Sequence, residues 1–195
     1  MPKNFIPQDQ YFKKAKELGY RARSAFKLAE LQDKFHFLKT GLDVLDLGAA
    51  PGSWLQYAGK LVGQNATLIG LDLQSIQPIA KNTKTFVVDI FSEEAVKLIQ
   101  KHHPKPFSVI LSDLAPATSG QKELDHSRSL ELSRQVVALA ERFLAPRGTL
   151  VIKVFQGGDF DAFIKELKGQ FGRVEIYKPK ASRARSFEVY VIARR

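Results

Sequence analysis

Hydrophobic runs alternate with amphipathic segments along the chain. Val44-Leu45-Asp46-Leu47 is a short apolar run that meets the turn Gly48-Ala49-Ala50-Pro51-Gly52 and then Ser53, Trp54 and helix-compatible residues. The pattern predicts a strand over about 43–47, a tight turn, and a helix over about 53–62 with Ser53 as its N-cap. Further strands are predicted to end at Asp72, over 85–89, over 107–112, over 149–155, over 174–177 and over 187–193, with helices over 93–102, 124–143 and 159–170 between them. Ahead of all these, residues 20–31 place Ala25 and Leu28 on one stripe and read as a helix. Strands alternating with helices predict an α/β domain around a mostly parallel, doubly wound sheet. If the last strand enters antiparallel beside the fifth, its beginning lies next to the carboxyl ends of the others.

Those carboxyl ends carry the candidate chemistry. Asp46, Asp72, Asp89 and Asp113 sit at the ends of four apolar runs, on the rim where doubly wound sheets bind ligands. Gly48 and Gly52 permit positive φ or close approach of a ligand, and the following helix offers free N–H groups. Asp72, about twenty residues beyond the glycines, is placed to accept hydrogen bonds from ribose hydroxyls. No lysine follows Gly52, which argues against a triphosphate-gripping loop, and the middle glycine of a dinucleotide fingerprint is missing. A nucleoside without phosphates is the expected ligand, and S-adenosylmethionine fits. Asp89 reads equally as a partner for the exocyclic amine of adenine or as the capping region of the next helix.

One residue breaks the pattern. Lys153 interrupts the apolar run of residues 149–155, where a covered central strand would not tolerate an ammonium without a partner. Glu188 is a second charge inside an apolar run, and the antiparallel arrangement would let it approach Lys153. An ordinary lysine snorkelling from a strand end is the alternative.

Charge changes the picture further. The chain has 195 residues and a net charge of +10; residues 1–40 hold nine Lys/Arg against four Asp/Glu, residues 41–172 fourteen against fourteen, and residues 173–195 seven against two. Two basic ends around a neutral nucleoside-binding centre point to a polyanion at the mouth of the site, with nucleic acid the obvious candidate. Arg21 and Arg23 lie near a helix start, where cations are unfavourable unless a phosphate is close; Arg183 and Arg185 are the corresponding candidates in the basic stretch of residues 178–186. The absence of cysteine excludes disulfides and thiolate chemistry, and the four histidines show no metal-ligand spacing. A single domain over residues 1–195 is expected, with residues 1–40 a basic helical extension contributing to RNA binding. The chain shows no leader or membrane span, so a cytoplasmic protein without membrane contact is expected.

In sequence the chain resembles the FtsJ/RrmJ family of ribose 2′-O-methyltransferases from about Tyr11 onward. The resemblance is carried by Gly-Tyr-Arg-Ala-Arg-Ser-Ala-Phe-Lys, Asp-Leu-Gly-Ala-Ala-Pro-Gly-Ser-Trp, Ser-Asp-Leu-Ala-Pro, Val-Ile-Lys-Val-Phe-Gln-Gly and Ser-Arg-Ala-Arg-Ser-Phe-Glu-Val-Tyr. It implies a Rossmann-like, S-adenosylmethionine-dependent methyltransferase fold with an antiparallel last strand. It also implies a catalytic tetrad at Lys27, Asp113, Lys153 and Glu188, and cofactor contacts from Gly52, Trp54, Asp72, Asp89 and Asp113. Ser53 stands where family members often have a second glycine. The match at both ends resembles the bacterial subgroup acting at a uridine of large-subunit (23S) ribosomal RNA, with ribosomal RNA or the large subunit as partner, no resident metal, and a monomeric enzyme. Lys153 is the candidate base for the ribose hydroxyl: burial and Lys27 favour its neutral form, whereas Asp113 and Glu188 favour the ammonium. Relatives acting on tRNA share the tetrad. A noncatalytic RNA-binding protein that retains the pocket and a nicotinamide-dependent enzyme are the rival readings.

Overall fold

The computed structural model describes residues 8–182 and 186–195. The elements run α1 (Gln8–Glu17), α2 (Ala25–Phe35), β1 (Val44–Leu47), α3 (Ser53–Val62), β2 (Leu68–Asp72), β3 (Thr83–Val87), α4 (Glu93–His102), β4 (Phe107–Ser112), α5 (Lys122–Phe143), β5 (Leu144–Phe155), α6 (Phe160–Gln170), β6 (Arg173–Tyr177) and β7 (Glu188–Arg194). The seven strands form one sheet in the order β3-β2-β1-β4-β5-β7-β6. β1 to β5 are parallel to one another, and β7 runs antiparallel to both β5 and β6. The expected α/β architecture and the inserted last strand are both present.

Strand alternation builds two cores. Leu45 and Leu47 of β1, with Ile152 and Val154 of β5, pack under α4, α5 and α6. Val44, Val151, Tyr190 and Ile192 point the other way and pack beneath α2 and α3. Lys153 pairs with Tyr190 in the β5–β7 register, and Phe155 with Glu188, so these four side chains share the α2/α3 face.

Several boundaries differ from those the sequence predicts. The helix read over residues 20–31 begins only at Ala25, because residues 20–24 make turns in which Tyr20 packs on Phe26 and Tyr57. β3 lies two residues earlier than predicted, leaving Asp89 beyond its end. β5 extends back to Leu144 across an irregular pairing with β4, where Arg147 takes φ 64°. The N-cap of α3 is Gly52 (φ 102°), and Ser53 is the first helical residue, its hydroxyl 2.8 Å from that of Ser24. The candidates Arg183 and Arg185 lie outside the described residues.

Candidate active site

Four distant segments meet at the C-terminal rim of the sheet. Lys27 comes from the first turn of α2, Asp113 follows β4, Lys153 stands near the end of β5, and Glu188 opens β7. Lys27 Nζ lies 2.5 Å from Glu188 Oε1. Lys153 Nζ lies 3.0 Å from Asp113 Oδ1 and donates to the Asp113 main-chain carbonyl at 2.5 Å. Both lysines are only 8% exposed. Glu188 makes its direct ion pair with Lys27 while Asp113 takes Lys153, and Lys153 stays close enough to Glu188 to act on its charge. Burial raises the Glu188 carboxyl, but the charge and hydrogen bond of Lys27, helped by Lys153, outweigh it and hold the group below its ordinary value.

Tyr190 joins the pairs. Its hydroxyl donates to Asp113 Oδ1 at 2.5 Å, while Lys27 Nζ sits 5.8 Å from its ring centroid. Burial, then Asp113 and Glu188, push the phenol well above its usual range, so it remains a donor. Tyr190 was not among the sequence candidates. Its signal was present in the alternation: it is two residues beyond Glu188 and on the same face.

The glycine turn is built around positive φ and close approach. Gly48 has φ 78°, and an added Cβ would collide with the Leu114 side chain; one on Gly52 would meet Arg21, Ile79 and Ile76 at 2.9–3.0 Å. Asp72 Oδ2 accepts from Ala50 N and its Oδ1 from Gln74 N, both at 2.8 Å, tying the turn to the β2 outlet. Each oxygen retains a lone pair for a ribose hydroxyl. Asp89 is exposed and accepts from Phe91 N, whereas Ser92 caps α4. Of the two readings left open for Asp89, helix capping belongs to Ser92. Trp54 is buried, its indole donating to Ser24 O at 2.9 Å and packing on Tyr190; what it can offer a ligand is its backbone N–H at the start of α3.

Asp46 is the strongest sign of a missing ligand. It is 1% exposed, and neither carboxylate oxygen has a hydrogen-bond partner among the described residues. Burial raises its carboxyl well above the ordinary value, and Asp113 and Asp72 add to this. A cationic group in the crevice would meet a carboxylate that otherwise has none. This orphaned acid, the N–H groups at the start of α3 and the lone pairs of Asp72 suit the ammonium, carboxylate and ribose parts of S-adenosylmethionine.

The two arginines near α2 differ. Arg21 donates to the carbonyls of Pro51 (3.1 Å), Gln77 and Pro78 (both 2.8 Å), stapling the glycine turn to the β2–β3 loop. The Arg23 guanidinium has no partner among the described residues. The neighbouring basic segment is anchored by Glu30, which accepts from the amides of Lys180 and Ala181. No three metal-ligating side chains cluster among the described residues, and no described helix is long and apolar enough to cross a membrane.

A family model described as FtsJ-like methyltransferase matches residues 20–195. The ribosomal RNA large subunit methyltransferase E of Methanothrix thermoacetophila is 45% identical over 188 residues, covering 96% of this chain and 72% of that protein. Its namesake in Acinetobacter baumannii is 43% identical over 186 residues, covering 94% of this chain and 85% of that one. A Plasmodium falciparum crystal structure described as a ribosomal RNA methyltransferase superposes with a TM-score of 0.80 at 31% identity, over 90% of this chain and 97% of that one.

Proposed function

The chain belongs to the FtsJ-like methyltransferase family, and from that premise we propose that it methylates a ribose 2′-hydroxyl, at a uridine of large-subunit ribosomal RNA, using S-adenosylmethionine. The observation that carries the reading is the pair of buried ion pairs, Lys27–Glu188 and Lys153–Asp113, bridged by Tyr190 beside the glycine turn. A binding protein without chemistry has no use for two ion pairs in its interior, where desolvation is costly.

Gly52, the N-terminus of α3, Asp72 and Asp89 would hold the cofactor, with Asp46 taking its ammonium end. Bound there, S-adenosylmethionine supplies an electrophilic methyl group on a sulfonium. The protein's own task is to hold the sugar hydroxyl in line and relieve it of its proton as attack proceeds. An ammonium has three donor positions, and Asp113 takes two of those on Lys153. The third is left for the ribose oxygen. If the amine is neutral, its two N–H groups satisfy Asp113 and its lone pair is free for the hydroxyl proton. Lys27 and Glu188 cancel each other's charge, so the hydroxyl meets fixed dipoles rather than a net field. Arg23, Arg183 and Arg185 are the proposed phosphate contacts, and the protein works as a soluble monomer.

The test is transfer of labelled methyl groups from S-adenosylmethionine to large ribosomal subunits from cells lacking the protein, followed by mapping of ribose methylation. A new 2′-O-methyluridine in the large-subunit RNA is expected. Label on a base, or on tRNA alone, would overturn the assignment.

A further inference from the structure

Beside the tetrad lies a cavity of about 300 Å³ that no step above uses, lined among others by Thr118, Lys122, His126, Phe155, Ser186 and Phe187. It opens where β5 ends. Phe155 is two residues beyond Lys153 on the same strand face, a step of about 7 Å, and pairs in register with Glu188. The wall is held firmly. Phe155 N donates to Ser129 Oγ at 3.0 Å, and Gln156 N to the carbonyl of Phe187 at 2.9 Å. On the opposite side, Asp125 accepts from the amide and hydroxyl of Ser119 and the amide of Gly120, fixing the loop after β4.

Two features mark this cavity as a place for a planar, polar-edged ligand. Phe187 is 43% exposed although it adjoins a catalytic strand. Lys122 Nζ lies 5.0 Å from its ring centroid, and His126 meets it edge-on at 5.4 Å, so its orientation is set before any ligand arrives. His126 is pressed against the backbone: an added Cβ at Gly157 would collide with its Nδ1. An aromatic ring left open to solvent, with the hydroxyl-bearing Thr118 and Ser186 in the same wall, offers a nucleobase a surface for its face and polar groups for its edge. The chemistry also demands such a place, because a ribose held at Lys153 must project its base somewhere.

We propose that this cavity is the subsite for the base of the nucleotide being methylated, with Phe187 as its stacking surface. The inference rests on the proposed ribose methylation. Base stacking is tolerant of sequence, so Phe187 holds the extruded nucleotide in place, while the hydroxyls of Thr118 and Ser186 read the base edge.

The test compares wild type with Phe187→Ala, Phe187→Leu and Phe187→Tyr on unmodified large subunits. The Ala and Leu variants should lose at least about tenfold in kcat/KM for the subunit and the Tyr variant less than about threefold, with cofactor affinity and the salt dependence of RNA binding unchanged. On subunits reconstituted with RNA lacking the base at the methylated position, wild type should fall to the level of Phe187→Ala, and that variant should lose nothing more. A Leu variant as active as wild type, a weakened cofactor affinity, a flattened salt dependence, or additive losses on the abasic RNA would each overturn the subsite while methylation stands. A wild type that transfers no methyl group to ribose would overturn the function and the subsite together.

Discussion

The Tyr190 hydroxyl and the Lys153 ammonium converge on one atom, Asp113 Oδ1, at 2.5 and 3.0 Å. The carboxylate is thereby held from two directions, and Lys153 is held with it. Tyr190→Phe should leave cofactor affinity within about twofold but slow methyl transfer about tenfold, because Lys153 is less firmly aimed. Loss of a hydrogen bond to a charged acceptor should also cost about 1.5–3 kcal/mol in stability. Single-turnover kinetics and urea unfolding measure the two separately; an unchanged rate with the expected stability loss would make Tyr190 purely structural.

Lys153→Ala should abolish transfer while leaving cofactor binding nearly intact. Isothermal titration with S-adenosylmethionine, alongside the methylation assay, checks both halves. Substantial residual turnover would remove Lys153 from the proton-handling role.

Separating stability from chemistry at the other ion pair needs two substitutions. Lys27→Met strands Glu188 in a nearly buried position and should cost about 3 kcal/mol. Adding Glu188→Gln should restore most of that stability but no activity. The same variants report on pH. Since Glu188 is held below its ordinary value of 4.5, the stability it contributes is complete above about pH 4.5 and disappears as pH falls through the lowered value. The double variant should lack that acid-side loss in urea unfolding between about pH 3 and 6.

Asp46 has the opposite sign. Its carboxyl is raised in the folded chain, so wild-type stability declines as pH rises above the ordinary value of 3.8. Asp46→Asn should therefore be the more stable protein at about pH 7.5, with the advantage shrinking towards about pH 4, and should bind S-adenosylmethionine about tenfold more weakly. A variant that gains stability and keeps full affinity would show that the cofactor's ammonium lies elsewhere.

Arg21→Lys replaces a planar fork with a point charge. Its compact ammonium cannot span carbonyls that two separate guanidinium nitrogens now reach, so the loop carrying Ile76 and Ile79 should loosen and cofactor affinity fall several-fold. If Arg21 also grips phosphate, Arg21→Ala will reduce the salt slope of RNA binding by about 0.7, the value for one phosphate of a single strand. An unchanged slope assigns it to the staple alone. Replacing Arg183 and Arg185 with Ala should flatten the slope by that amount for each phosphate no longer neutralised.

The sheet was legible in the sequence because each strand ends abruptly at a charged residue or a turn, and Ser53–Val62, Glu93–His102 and Phe107–Ser112 have the predicted bounds. Two of the four charges were legible because Lys153 and Glu188 interrupt apolar runs, and a charge in such a place needs a partner; Lys27, and the grouping of all four, came only from the family resemblance. The pairing of those charges was not legible. Which acid meets which lysine depends on how far α2 reaches over β7, and no local pattern contains that distance. Tyr190 stayed hidden for a related reason: a tyrosine in a strand looks like core, and only the position of Asp113 shows that its hydroxyl has an acceptor to serve. The staple made by Arg21 was hidden too, since a guanidinium near a helix start suggests phosphate and only the folded chain brings three main-chain carbonyls to it.

β6 joins the sheet only through β7, which follows every other strand in the order of synthesis. Until β7 slides in, β5 has an unpaired edge and the crevice lacks Glu188 and Tyr190. A nascent chain that has not yet made β7 already carries Lys27, Asp113 and Lys153, but the two ion pairs and their Tyr190 bridge are complete only once all seven strands have been made.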